Sequence, residues 1–303
     1  RDIADISWVG GKTGDNWGLT YALQYYYSEP LYAYQRDFMD SSLDNPLPNA
    51  ITGQQPTSTM LLRNRLLSTN NYIAPPAGAC EQFGDDWVRW NFRSGTTGAN
   101  LGESCGTFKY SAYQSISNEN NDLSAYLHGT YDFDNGMQAW ASVQAWRSKA
   151  KANAAPQFWG GSTVGQIWYA PQFGTYVDAQ RTFEPVESGG IESLAQSFTE
   201  TSVDVAVGLR GSFGDRFDWD ATIGRAQYET EVRRPRFVAS AINDWFLGPQ
   251  LGNVGIYPVY ELNLDRYYRR MTPQEFAAVS TTVKTSADSH VNQGTFTVSG
   301  DLF

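Results

Sequence analysis

Cys80 and Cys105 are the chain's only thiols, with 24 residues between them. In an oxidising compartment they form one disulfide; the alternative is two free thiols. The two histidines, His128 and His290, are too few and too far apart for a histidine-rich metal site. Neither has a serine or cysteine at a motif-like spacing, and no G-x-S-x-G occurs. Asp132, Asp134 and Asn135 before Gly136 are faintly like a calcium loop, but the later bidentate glutamate is missing, so a plain hairpin turn is the better reading. Asp37 with Asp40, and Asp85 with Asp86, read as solvated acidic loops rather than cation sites. Gly10-Gly11, Gly160-Gly161 and Gly189-Gly190 read as turns, since none sits between a strand and a helix as a phosphate loop requires. Scattered carboxylates give no reason to choose a glycosidase pair. The sequence therefore assigns no catalytic residue, no cofactor and no metal ligand.

Aromatic clusters are the remaining candidates for ligand contact. Trp87, Trp90 and Phe92 lie near the cysteines. Phe158, Trp159, Trp168, Tyr169, Phe173 and Tyr176 crowd one later segment, and Trp245 with Phe246 another. Such rings stack on sugars, flat chelates and other apolar ligands. Trp87, Trp90, Trp159, Trp168, Tyr169 and Trp245 are taken as the candidate ligand-binding set. The competing reading is that they pack the segments against one another.

What positions these residues is a set of strands. From Ser202 to Phe213, Val203, Val205, Val207 and Leu209 alternate with Ser202, Asp204, Arg210 and Ser212. After a turn around Gly214 and Asp215, Phe217, Trp219, Ala221 and Ile223 continue the alternation, so the two runs form a hairpin. A second hairpin turns at Asn135-Gly136. Leu123, Ala125 and Leu127 alternate with Ser124, Tyr126 and His128 before it, and Ala139, Ala141 and Val143 with Trp140, Ser142 and Gln144 after it. Trp17 to Tyr25 and Thr295 to Leu302 read as two further strands. Thr272-Pro273-Gln274-Glu275 predicts a short capped helix. Extra strands are expected within 30–38, 107–117 and 163–176.

Length and composition agree with a folded β protein. The 303 residues are enough to bury a core without help from metal or disulfide. Aromatics reach 15%, too many for a disordered chain. A net charge of −10 argues against a nucleic-acid partner, whose phosphates need a basic footprint. No run of apolar residues is long enough for a membrane helix, which leaves a membrane β-barrel open. No signal peptide is visible, and the absence of an initial Met suggests that something upstream has been removed.

Connection lengths sharpen the choice. Short turns alternate with long connections, roughly Ser28 to Lys109, Ala150 to Ser197 and Arg233 to Asn292. Compact soluble domains rarely carry structureless loops beyond about 15 residues. Outer-membrane barrels pair short periplasmic turns with long extracellular loops. The aromatics at Tyr25, Tyr26, Tyr27, Phe213, Phe217 and Trp219 suit membrane interfaces, though aromatics also favour strands generally.

Three phrases carry a family resemblance: NWGLTYALQYYYSEPLYAYQRDFMDS (16–41), YQSISNENNDLSAYLHGTYDFDNGMQAWASVQAWRSKA (113–150) and VNQGTFTVSGDLF (291–303). They resemble strands and hairpins of TonB-dependent outer-membrane receptors, in a proteobacterial subgroup. The resemblance implies an all-β fold: an antiparallel transmembrane β-barrel of 22-stranded type, of which residues 1–303 would be one part. It implies a plug domain and further strands outside this chain, and reads Phe303 as an internal position. The implied location is the bacterial outer membrane. The implied partners are outer-membrane lipid, a transported small molecule or oligosaccharide, and the TonB energising complex acting through the plug. The implied function is uptake of a scarce solute, a ferric siderophore, cobalamin or an oligosaccharide, with no bond-making chemistry. Two other readings stand beside it. One is a soluble or surface-attached β-rich module that binds carbohydrate through loop aromatics. The other is a small outer-membrane porin or enzyme.

Overall fold

The computed structural model describes residues 1–67, 71–153, 157–160, 167–214 and 216–300. The chain opens with a long hairpin of β1 (Ile3–Thr13) and β2 (Trp17–Ser28). It then passes through β3 (Leu31–Tyr32), β4 (Thr57–Asn64), β5 (Trp87–Arg93), β6 (Asn100–Thr107) and β7 (Ser115–Ser117). The second long hairpin is β8 (Glu119–Asp132) with β9 (Gln138–Ala152). Next come β10 (Phe158–Gly160), β11 (Trp168–Ala170), β12 (Thr175–Thr182) and a short helix, α1 (Pro185–Ser188). The third long hairpin joins β13 (Gln196–Phe213) to β14 (Phe217–Phe237). A last excursion holds α2 (Ala239–Leu247), β15 (Gly252–Val254), β16 (Tyr257–Val259), α3 (Leu264–Tyr267) and α4 (Pro273–Val279), and leads into β17 (Ser280–Gly300).

The long strands build a wall. Its order is β1-β2-β8-β9-β13-β14-β17, antiparallel at every step. Among the described residues the outer edges of β1 and β17 have no partner, so the sheet is open and does not close into a barrel. The fold is thus all-β and mainly antiparallel. The excursions between the hairpins build a second body, the cap, around a sheet of order β15-β16-β11-β12-β4-β6-β5. Its β11–β16 pair is parallel.

The two hairpins read from alternation form in register, with Val205 opposite Val143 and Leu209 opposite Ala139. Asn135 Oδ1 accepts the Met137 amide, and Gly136 takes a φ of 80°, which the turn requires. The capped helix forms as α4: Thr272 Oγ1 accepts the Glu275 amide and Glu275 accepts that of Thr272. Of the extra strands expected, β3, β7, β11 and the start of β12 fall in the three windows. Asp215, residues 161–166 and residues 301–303 lie outside the described residues.

Two readings are corrected. Gly10 and Gly11 are not a turn; they lie inside β1, paired with Tyr21 and Thr20. A Cβ on Gly10 would lie 2.5 Å from the Tyr21 hydroxyl, so glycine is there to let the ring lie across the strand. The third long connection is also shorter than expected, because β14 runs to Phe237 and β17 begins at Ser280. Those strand ends are polar on both faces, so alternation falls silent where hydrogen bonding continues. Gly189 and Gly190 do form a turn, with φ of 90° and 127°.

The wall has one apolar and one polar face, and the apolar one is uncovered: Val207 is 41% exposed and Trp8 64%. The apolar area is a band with a sloping upper edge. On β2 and β8 it reaches Tyr25 and Leu123, which are paired. That row continues across the wall through Arg147, Thr201, Glu229 and Asp288. On β14 and β17 the apolar run stops lower, at the Ile223–Gly294 pair. The edge therefore drops about six residues over five strand-to-strand steps. At ~3.3 Å per residue and ~4.8 Å per strand, that is a slope of ~40°.

Candidate functional site

The cap is where sequence reading placed ligand contacts, and it is built as a core. Cys80 and Cys105 form a disulfide, with both residues buried. Closing that loop is worth about 3.5 kcal/mol in the chain-entropy description. At the centre sits Arg181 on β12, fully buried. Its Nη2 pairs with Glu187 and donates to the Arg269 carbonyl at 2.6 Å, and its Nε donates to the Tyr267 carbonyl at 3.0 Å. Its guanidinium stacks 4.3 Å from the Phe183 ring centroid. Glu187 also accepts the amides of Glu184 and Met271. One ion pair thus ties β12, α1 and the segment between α3 and α4 together.

The six aromatic candidates separate into two groups. Trp87, Trp159 and Trp168 are core residues, at 3%, 0% and 0% exposure. Trp87 Nε1 donates to Glu184 at 2.7 Å, and Trp159 Nε1 to Asn243 at 2.8 Å. Trp159 packs 4.7 Å from Phe246 and 6.4 Å from Trp168. Burial of such rings is worth roughly 1.5–3 kcal/mol or more each, and it leaves them no free face. Trp90, Tyr169 and Trp245 reach the surface. Trp90 stands edge-on to Phe108, and Tyr169 edge-on to Tyr176.

Trp245 lines a shallow depression of about 420 Å³ with Leu247, Leu262, Asp244, Glu261 and Asp265. Arg266 lies 4.4 Å over its ring and Arg269 5.4 Å. Arg269 also grips Glu275 with two hydrogen bonds of 2.8 Å. Those bonds, helped by the Thr272 amide and resisted by desolvation, hold the Glu275 carboxyl at about 2 against an ordinary 4.5. A depressed carboxyl stabilises the fold above its unfolded value and ceases to do so as pH falls through its folded value. The contribution of this contact should fade between pH 4.5 and about 2. Thermal midpoints compared across that window should fall more steeply in the parent than in Glu275→Gln; equal slopes would refute the link.

Two of the acidic candidates make structural contacts. Asp86 pairs with Lys109 at 2.8 Å, and Asp132 accepts from Gln138 across the hairpin. No group of three metal-ligating side chains occurs among the described residues.

The polar face of the wall carries features that loop-centred reading missed. Tyr126 and His128 on β8 lie in near-parallel planes, 6° apart, with centroids separated by 6.4 Å. His128 and Trp140 on β9 follow at 6.2 Å and 23°. Nearer the tight turns, Arg210, Gln138, Asp218 and Asp220 gather on the same face, with Arg210 Nε donating to Gln138 at 2.8 Å. The available signal was the position of Tyr126, His128 and Trp140 on the polar side of their alternating runs. At the junction with the cap, Lys151 bridges Glu119 at 3.3 Å and Glu192 at 3.4 Å. Tyr32 donates to Glu192 at 3.1 Å, and burial first, then Glu192, raises its hydroxyl pKa.

A comparison with protein-family models finds no match for this chain, and a comparison with curated proteins finds none either.

Proposed function

We propose that the wall is part of an outer-membrane β-barrel and that the protein acts as a TonB-dependent receptor for a scarce solute. The sloping apolar band carries the membrane-barrel part of this reading, and the resemblance of residues 16–41, 113–150 and 291–303 to TonB-dependent receptors supports the rest. Membrane barrel strands tilt by ≈ 35–45° to the membrane normal. A level slab of hydrocarbon touching such strands would mark them with an apolar edge inclined by that angle, and the slope here is ~40°. On β8 the band spans Leu123 to Tyr131. At that tilt these eight rises give ~20 Å of height, a little under the ≈ 25 Å apolar belt of such barrels. The opposite face is polar, as a lumen requires. Further strands flank β1 and β17 in this reading, because open edges in lipid would leave backbone groups unpaired. The cap stands on the extracellular side, a plug and the energising complex act from below, and the solute is a siderophore chelate, a cobalamin or an oligosaccharide.

Cell fractionation tests the reading. The native protein should sediment with the outer membrane, resist alkaline washing and need detergent for release. Recovery in the soluble fraction without detergent would overturn it.

A further inference from the structure

Most side chains on the polar face of the wall are small or hydrogen-bonding, which makes its rings conspicuous. Tyr126, His128 and Trp140 form a row of near-parallel rings with centroids 6.4 and 6.2 Å apart. Tyr126 is 39% exposed, and among the described residues no cap residue is a ring partner of these three. The row rises from the tight-turn end towards the cap, since Trp140 pairs with Thr130 and Tyr126 with Gln144. Trp140 leans across β13, where Gly208 makes room for it. A Cβ at Gly208 would meet Nε1 and Cε2 of the indole at 2.5 Å. The row is edged by Gln144, Ser142 and Thr130, the direct partners of its three members, and by Asp204 opposite Gln144.

We propose that this row is a contact track for a neutral, linear oligosaccharide moving along the wall. The proposal rests on the receptor reading above and narrows its substrate class. Pyranose rings offer flat C–H faces, which stack on aromatic rings, and hydroxyl edges, which need amide, hydroxyl and carboxylate partners beside the rings. The track supplies both. Charge complementarity argues against an anionic ferric chelate. The charged group edging the row is Asp204, and the nearest cation further down, Arg210, is already bonded to Gln138 and faces Asp220. A repeated polymer also suits a repeated binding element better than a compact chelate does.

The test uses the full-length protein, extracted in detergent, with neutral linear hexasaccharides of glucose, xylose and N-acetylglucosamine as probes and a ferric tris-catecholate, which is anionic, as the contrasting ligand. Calorimetry and tryptophan fluorescence read the binding. At least one hexasaccharide should bind, and Trp140→Ala and Tyr126→Ala should each weaken it about tenfold, equivalent to about 1.4 kcal/mol. Trp140→Phe keeps a ring and should stay within about threefold. Gly208→Val favours the strand but pushes the indole off its seat, so it should match Trp140→Ala while leaving every ring present. Hexasaccharide affinity unchanged in Trp140→Ala, Tyr126→Ala and Gly208→Val would overturn the track, as would binding of the ferric tris-catecholate alone. A membrane-embedded protein that binds no hexasaccharide loses the track and keeps the receptor reading. A soluble protein that binds saccharide through Trp140 does the reverse.

Discussion

Val207→Arg should cost the folded protein about 2–4 kcal/mol, the penalty of a cation near the midplane of a membrane barrel's lipid face. Val207 sits on β13 between Ala141 and Ile223, inside the apolar band. Its neighbour Ala206 points to the polar face, opposite Ser142 and Gly224. Ala206→Arg should therefore be nearly neutral, because a polar lumen hydrates the guanidinium. The pair makes a sharp contrast. On a water-exposed sheet, a valine that is 41% exposed should tolerate arginine within about ±0.5 kcal/mol. Urea titration of the protein in lipid vesicles reads both variants. A large loss at Val207 with none at Ala206 supports lipid against this face. Equal, small effects would mean that water covers it, and the receptor reading would fall.

Arg181→Met is the second substitution with a large expected effect. It leaves Glu187 buried, at 0% side-chain exposure, without its cation. Removing one partner of such a pair typically costs about 3–5 kcal/mol, because the remaining charge keeps its desolvation penalty. The carbonyls of Tyr267 and Arg269 lose their donor in the same step. The double variant Arg181→Met with Glu187→Leu should recover part of the loss, since no bare charge then remains. Resistance of the cap to protease, followed with temperature, measures this. A double variant no better than the single would show that the stranded carboxylate is not the cost. Arg181→Lys should not rescue, because a single ammonium cannot reproduce the fork that serves Glu187 and both carbonyls.

The wall was largely legible. Its hairpins announce themselves through period-two alternation and short turns, which are local signals. The first strand was missed because Gly10 and Gly11 break the apolar pattern, and their reason for being there is a ring on another strand. The upper parts of β14 and β17 were missed because both of their faces are polar. The cap was scarcely legible. Trp159 and Trp90 look alike in sequence, yet one is enclosed beside Phe246 and Tyr267 and the other reaches the surface. That difference comes from contacts between segments that lie far apart in the chain.

The sequence by itself determined where six of the wall's seven strands run, which face of each is apolar, where α4 begins and which two cysteines were able to pair. Each of these depends on residues a few positions apart, or on a choice with a single solution. Tertiary structure decided the rest. Register turned six separate alternations, with β1 beside them, into one band with a slope, because an inclined edge exists only when neighbouring strands are compared. Packing turned three long connections into one core around Arg181, because a buried charge needs carbonyls and a carboxylate brought from three segments at once. Strand pairing also aligned Tyr126, His128 and Trp140 across two strands, and placed Gly208 of a third beneath the indole.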